Sequence, residues 1–288
     1  MSFIKPYLTL CRVNISVFAA CSAATGFFLA PGSRIAGVLA PSAAVFLLAC
    51  GASALNQYQE RAIDARMART RTRPLPSGII TPPQALSLSL AMIITGLILI
   101  AGAGAKALAL GLVSLLWYNG VYTRLKKMTA FAAVPGAAVG MIPPAIGWAA
   151  AGGGLLDPRL SALCLVFFMW QVPHFWLLLL RRGEEYEQAG LPSLTAVMSR
   201  SQIARVTYIW IFAAAVSSLM LPLYGAVTAP VLCFALLPPA AWLIWSGRAL
   251  AARRASVSPS PLLFRKINIY LFVVMTLLVF DNILSALP

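Results

Sequence analysis

Long, unbroken apolar runs separated by short polar clusters dominate the chain. Nine of them approach the roughly 20 residues a helix needs to cross a bilayer: about 13–31, 35–55, 83–104, 106–122, 129–151, 158–180, 203–222, 224–245 and 264–287. The runs are continuous rather than alternating, which predicts helices and argues against a closed barrel of strands. Glycine and proline inside them are compatible with helices in lipid. Further spans follow the first run, and it lacks a convincing small-residue cleavage site, so it is not read as a removable signal peptide. The pattern predicts an all-α, polytopic membrane protein with nine transmembrane helices, expected to form a single transmembrane domain over 1–288.

Composition sharpens that reading. Charged residues are only 10% of the chain and hydrophobic ones 60%, whereas a soluble domain carries about a quarter charged residues. A net charge of +15 would suggest nucleic acid in a soluble protein, but its placement excludes that. With nine spans and the N-terminus inside, 19 of the 22 cations fall on one side, Arg253 and Arg254 among them, leaving Arg34, Lys106 and Arg159 on the other. This positive-inside asymmetry predicts the orientation, N-terminus cytoplasmic and C-terminus outside, and the expected location is a bacterial inner membrane. The segment "RRASVSPSPLLFRK" reads as an interfacial loop with a basic edge, attracted to anionic membrane lipid. The five cysteines are scattered and form no CxxC pair, so neither a zinc site nor a disulfide framework is indicated.

The acids carry the chemistry. Only seven occur, and five fall in two clusters on the cytoplasmic side: Glu60 and Asp64, then Glu184, Glu185 and Glu187. In a helix Asn56, Glu60 and Asp64 share one face, about 6 Å apart along the axis. Stacked carboxylates repel unless a cation lies between them. Oxygen donors without thiols suit Mg²⁺, which favours carboxylates plus a substrate's phosphates, and nearby arginines can grip phosphate bidentately. A bland alternative is that these are interfacial charges paired with arginine. Two such groups at the same end of a bundle instead suggest two halves of one site. Asp157, before Pro158, reads as a turn or helix-start residue, and Asp281 as a hydrogen-bonding residue facing the bundle.

The chain's single histidine, His174, sits among Trp170, Gln171, Phe175 and Trp176. It could simply tie two helices together, yet its neighbours offer aromatic faces for a flat ligand or a carbocation. Pro173 is expected to kink its helix.

These segments resemble a family. "NQYQERAIDARMARTRTRPLPSG", "YTRLKKMTAFAAVPGAAVGMIPPAIGW" and "WQVPHFW" with "RRGEEYEQAGLPSL" are similar, in order, to signatures of the UbiA superfamily of intramembrane prenyltransferases, and the last narrows the likeness to its protohaem IX farnesyltransferase (haem O synthase) branch. The resemblance implies a helical bundle around a central chamber open sideways to lipid, and transfer of a farnesyl group from farnesyl diphosphate to a vinyl group of haem B, giving haem O. It implies Mg²⁺ held by Asn56, Glu60 and Asp64 and by Glu184 or Glu185. Arg69, Arg73, Lys126 and Lys127 would neutralise the diphosphate, and Tyr122 and Tyr186 could donate to it. Trp170, Gln171 and His174 would line the acceptor site, His174 by axial ligation or a hydrogen bond. A haem-copper oxidase assembly factor or a haem A synthesis enzyme is the implied partner. Glu60 and Glu185 stand where the family usually has Asp, Phe131 replaces a frequent Asn, and "LTLCRVN" keeps only Arg12 of a Lys-Pro-Arg-Val segment. Two alternatives remain: another aromatic or tetrapyrrole acceptor, or a cation-coupled membrane transporter.

Overall fold

The architecture follows from that apolar pattern in a computed structural model, which describes residues 4–252 and 261–285. Arg253, Arg254 and most of the predicted basic loop lie outside the described residues. Ten principal helices, with shorter helical turns between some of them, succeed one another among the described residues: α1 (Ile4–Leu10), α2 (Val13–Leu29), α3 (Leu39–Asp64), α4 (Pro82–Ala101), α5 (Ala105–Leu115), α6 (Ala133–Ala150), α7 (Pro158–Gln188), α8 (Arg200–Leu219), α9 (Pro230–Leu250) and α10 (Pro261–Ser285). No strand occurs among the described residues.

Seven of these helices are long and apolar enough to cross a membrane, eight if α1 and α2, bent by 54° at their junction, count as one span. That is one fewer than the nine apolar runs predict. The remaining run, 106–122, is helical but does not stay α-helical. After α5 it widens into a π segment, Leu116–Tyr122, then resumes over Thr123–Leu125. Widened turns of this kind gather at functional sites. Its end returns to the same end of the bundle as that of α3, because Lys126 just beyond it reaches Glu60.

Consecutive helices pack on one another in a ring from α2 to α10, and α10 closes it against α2. Contacts also cross the ring, chief among them α2 with α6 and α10 with α7. Lipid supplies no hydrophobic drive between helices, so close approach of small residues must hold them. At the α2–α6 crossing a Cβ on Gly26 would lie 1.9 Å from the Pro144 carbonyl oxygen, and one on Gly147 would lie 1.8 Å from that of Ala23. Only glycine permits this backbone-to-backbone contact. Buried polar side chains add specific ties: Ser89 Oγ donates to the Gly51 carbonyl (2.8 Å), and Tyr270 Oη to Ser218 Oγ (2.7 Å). Large apolar side chains such as Ile98, Leu116, Ile209 and Phe272 point outward, as a lipid-facing surface requires.

The two isolated acids have structural work. Asp157 caps α7, accepting from the backbone N–H of Arg159 (2.9 Å) and from its guanidinium. Asp281 accepts from the backbone N–H groups of Thr228 and Ala229 (2.9 and 2.8 Å) at the start of α9.

Candidate active site

The site begins where α3 outlasts its apolar run. The helix continues to Asp64, which places Asn56, Glu60 and Asp64 on one face of its last turns. Gln57 anchors the neighbouring chain: its Nε2 donates to the carbonyls of Thr9 (3.2 Å) and Leu10 (2.7 Å) at the end of α1. The Leu10 carbonyl, left free by the break between α1 and α2, is satisfied in this way, while that of Thr9 also accepts from the Arg12 backbone N–H (3.3 Å). Arg12, at that break, adopts a left-handed conformation with φ 46° and ψ 51°, uncommon for a residue other than glycine. It lies near enough to Glu60 and Asp64 for their charges to act on it, with Tyr118 and Tyr122 also nearby.

Each carboxylate on α3 faces a cation. Lys126 Nζ is 2.6 Å from Glu60, and Arg73 Nη1 donates to Asp64 Oδ2 at 2.6 Å. Burial and the neighbouring charge of Arg12 lower the pKa of Arg73, and Asp64 works against both. Thr70 Oγ1 donates to the Asp64 carbonyl (2.8 Å) and folds the following turn back over the helix end. Asn56 is fully buried, and its Nδ2 donates to Thr123 Oγ1 (3.0 Å). Its Oδ1 is buried with no hydrogen-bond partner, which normally costs about 1–3 kcal/mol.

The second half comes from α7. Its backbone stays helical through Pro173, against the predicted kink, because the non-helical residue is Arg182 (φ −138°, ψ 15°), two turns later. Past that kink Glu185 turns inward, 3.8 Å from Arg69 Nε and 3.7 Å from Arg182 Nη1. These distances are too long for hydrogen bonds, and both Arg69 Nε and Glu185 Oε2 are buried without a partner. The turn that follows α3 thus meets α7 in an ion pair whose facing donor and acceptor are not hydrogen-bonded. Glu184 faces the other way, exposed and paired with Arg200, and Glu187 is bonded to Thr195.

An aromatic wall runs from this charged end towards the bundle interior. Lys126 lies over the Tyr122 ring (5.0 Å), which stacks on Phe175 (5.8 Å), itself edge-on to His174 (5.8 Å). Trp170 and Phe264 flank His174 at 4.7 and 4.8 Å, and Phe18 stacks on Trp170. Trp170 is fixed by donating Nε1–H to the Ile267 carbonyl (2.8 Å). Tyr186 is close enough to Tyr122 for the two phenols to interact electrostatically, and Gln171 packs over Gly140.

Of the residues singled out from sequence, Asn56, Glu60, Asp64, Arg69, Arg73, Lys126 and Glu185 are thus drawn together, with Tyr122, Tyr186, Trp170 and His174 along the wall. Glu184 and the exposed Lys127 are not. No three acidic, histidine or cysteine side chains among the described residues are gathered to hold a metal by themselves. Sequence reasoning passed over Gln57, Thr123 and Asn268, whose side chains act through tertiary contacts that no local spacing signals. Arg12 was marked only by the likeness of "LTLCRVN" to a family segment, with no role attached to it.

Comparison with known proteins agrees with this geometry. The UbiA prenyltransferase family description matches residues 17–271. A Geobacter sulfurreducens protein named protoheme IX farnesyltransferase is 42% identical over 76% of this chain and 81% of its own length. One of the same name from Oleidesulfovibrio alaskensis is 36% identical over 96% of each. The solved structure of a UbiA homolog from Archaeoglobus fulgidus bound to GPP and Mg²⁺ superposes with a TM-score of 0.69 over 96% of this chain and 99% of that one; at 16% identity the likeness is one of fold. A membrane bundle that meets two acidic clusters at one end, with a family match over most of its length, leaves one assignment: the chain belongs to the UbiA prenyltransferase family.

Proposed function

We propose that this protein transfers the farnesyl group of farnesyl diphosphate to a vinyl group of haem B, giving haem O. The observation that carries the reading is the approach of Arg69, from the turn that follows α3, to Glu185 of α7, while Lys126 joins Glu60 of α3 to the aromatic wall that holds His174. The relatives named protoheme IX farnesyltransferase supply the acceptor. A cation-coupled transporter has no comparable support in this family.

The donor set fits magnesium. Mg²⁺ is usually bound by one or two carboxylates plus substrate phosphates rather than by an all-protein cage. The candidates here are all oxygens: Glu60, Asp64, Glu185 and the unpartnered Asn56 Oδ1. Asn56, Glu60 and Asp64 would hold it from α3 and Glu185 from α7, with Glu184 left to Arg200. Bound there, the ion would offset negative charge on the departing diphosphate.

The chain's own residues do the rest. Lys126, Arg73 and Arg69 would pair with phosphate oxygens, with Arg12 nearby, and Tyr122 and Tyr186 would offer phenols to them. The bond from farnesyl C1 to the diphosphate oxygen breaks, its electron pair leaving with the diphosphate. The π electrons of the haem vinyl group then form the new bond to C1. Water adds to the vinyl carbon left positive and loses a proton, completing a hydroxyethylfarnesyl group. Tyr122, Phe175 and Trp170 offer faces that stabilise the allylic cation and exclude stray water from it. The excess of cations in the loops at this end supports a site on the cytoplasmic side of a bacterial inner membrane, with the N-terminus inside and the C-terminus outside. The product would pass to haem A synthesis or to haem-copper oxidase assembly.

The test supplies membranes containing the protein with haem B, isotopically labelled farnesyl diphosphate and Mg²⁺, and weighs the extracted haem. Label in a haem heavier by farnesyl plus water is expected, and should vanish on chelating the metal. Unlabelled haem from folded protein, with label found in another aromatic acceptor, would replace haem in this reading.

A further inference from the structure

His174 is the only histidine in the chain, and its hydrogen bonds define which of its nitrogens is free. Nδ1 lies 2.9 Å from Asn268 Oδ1. The amide of Asn268 is oriented by its other end, since Nδ2 donates to the Phe264 carbonyl one turn earlier in α10 (2.8 Å). The oxygen is therefore the atom facing the imidazole, and an amide oxygen only accepts. Nδ1 must carry the proton. In the neutral ring Nε2 then holds a lone pair, and it makes no hydrogen bond among the described residues.

A histidine serving only to tie α7 to α10 would need no more than this one bond. The surroundings ask for more. Trp170, Phe264 and Phe175 place flat apolar rings about the imidazole at 4.7, 4.8 and 5.8 Å, suited to a planar macrocycle and offering Nε2 no partner of their own. Two rings, Phe175 and Tyr122, separate His174 from Lys126 and hence from Glu60. A group bound at Nε2 would stand beside the prenyl chain rather than on the diphosphate.

We propose that Asn268 is a positioning residue that locks His174 in the Nδ1–H form so that Nε2 ligates the iron of the acceptor haem and aims its vinyl edge at farnesyl C1. Metal-ligating histidines commonly donate their other N–H to a fixed acceptor, which sets tautomer and ring orientation, and loss of that acceptor typically weakens metal affinity about 10–100-fold. The inference rests on haem as the acceptor and adds the residues that hold its iron.

The test uses full-length protein in detergent micelles, titrated with haem B without farnesyl diphosphate and read by absorption, EPR and resonance Raman. Wild type should give a histidine-ligated spectrum. His174→Ala should lose it, and added imidazole should restore it. Asn268→Leu should weaken haem binding about 10–100-fold and shift the iron–histidine band, while Asn268→Asp, which keeps an acceptor at Nδ1, should recover affinity. Farnesyl diphosphate binding retained by each variant certifies the fold. Unchanged haem affinity and spectrum in His174→Ala, or in Asn268→Leu, would overturn the inference and leave the acceptor standing. A wild-type protein that binds no haem would remove the acceptor reading as well.

Discussion

Replacing Asp64 by alanine gives the clearest forecast, because the structure fixes what is left behind. Arg73 and Asp64 are 2.6 Å apart with side chains 17% and 6% exposed. Removing one partner of a buried pair costs about 3–5 kcal/mol, since the other charge stays uncompensated. Arg73 keeps an edge on solvent, so the lower end of that range applies, about 3 kcal/mol. Burial and Arg12 already disfavour its charge, and without Asp64 neither is opposed. For a chain of this size 1 kcal/mol moves Tm by roughly 2–4 °C, so Asp64→Ala should lower it by roughly 6–12 °C in detergent. Arg73→Ala should cost a similar amount. The double variant should be less destabilised than the sum, with a coupling of about 2 kcal/mol, since it removes the orphaned charge. Thermal unfolding of all four proteins closes the cycle. Additive shifts would refute the claim that these two groups neutralise each other in the resting site.

Other substitutions separate the roles within the clusters. Glu184→Ala and Lys127→Ala should leave prenyl transfer within about threefold of wild type by product assay, since Lys127 is exposed and Glu184 is exposed and paired with Arg200, whereas Glu185→Ala should reduce it at least about 100-fold, as loss of one transition-state stabiliser does. Asp157→Ala should lower thermal stability by about 1 kcal/mol, the usual value of an N-cap, with activity unchanged. Arg159 holds the Asp157 pKa below its ordinary value; the stabilisation is therefore present above the unfolded-state pKa and lost as pH falls through the depressed folded one, which acid titration of the wild type against this variant should reveal. Gly147→Ala should fail to pack, as its Cβ would fall 1.8 Å from the Ala23 carbonyl oxygen, and a loss of folded yield in membranes measures this.

Much of this was legible in the chain. Continuous apolar runs located the helices, and the four-residue spacing of Asn56, Glu60 and Asp64 gave one acidic face because α3 does extend that far. What could not be read depended on tertiary geometry. The kink falls at Arg182 rather than Pro173, so Glu185 turns inward while its neighbour Glu184 turns out; adjacent identical residues carry no mark of that difference. The 106–122 run widened into a π segment that hydropathy does not register, its Asn119 side chain donating to the Ala52 carbonyl (3.0 Å). Asn268 reads as one polar residue in a last apolar span until α10 is packed against α7.

The central claim is that acids from α3 and α7 form a single diphosphate site. Isothermal titration of purified protein with farnesyl diphosphate, with and without Mg²⁺, tests it through Glu60→Ala on one half and Glu185→Ala on the other. The account predicts Mg²⁺-dependent binding in the wild type, weakened at least about tenfold by either substitution alone. Wild-type affinity in Glu185→Ala, with binding lost only in Glu60→Ala, would contradict it and confine the site to α3.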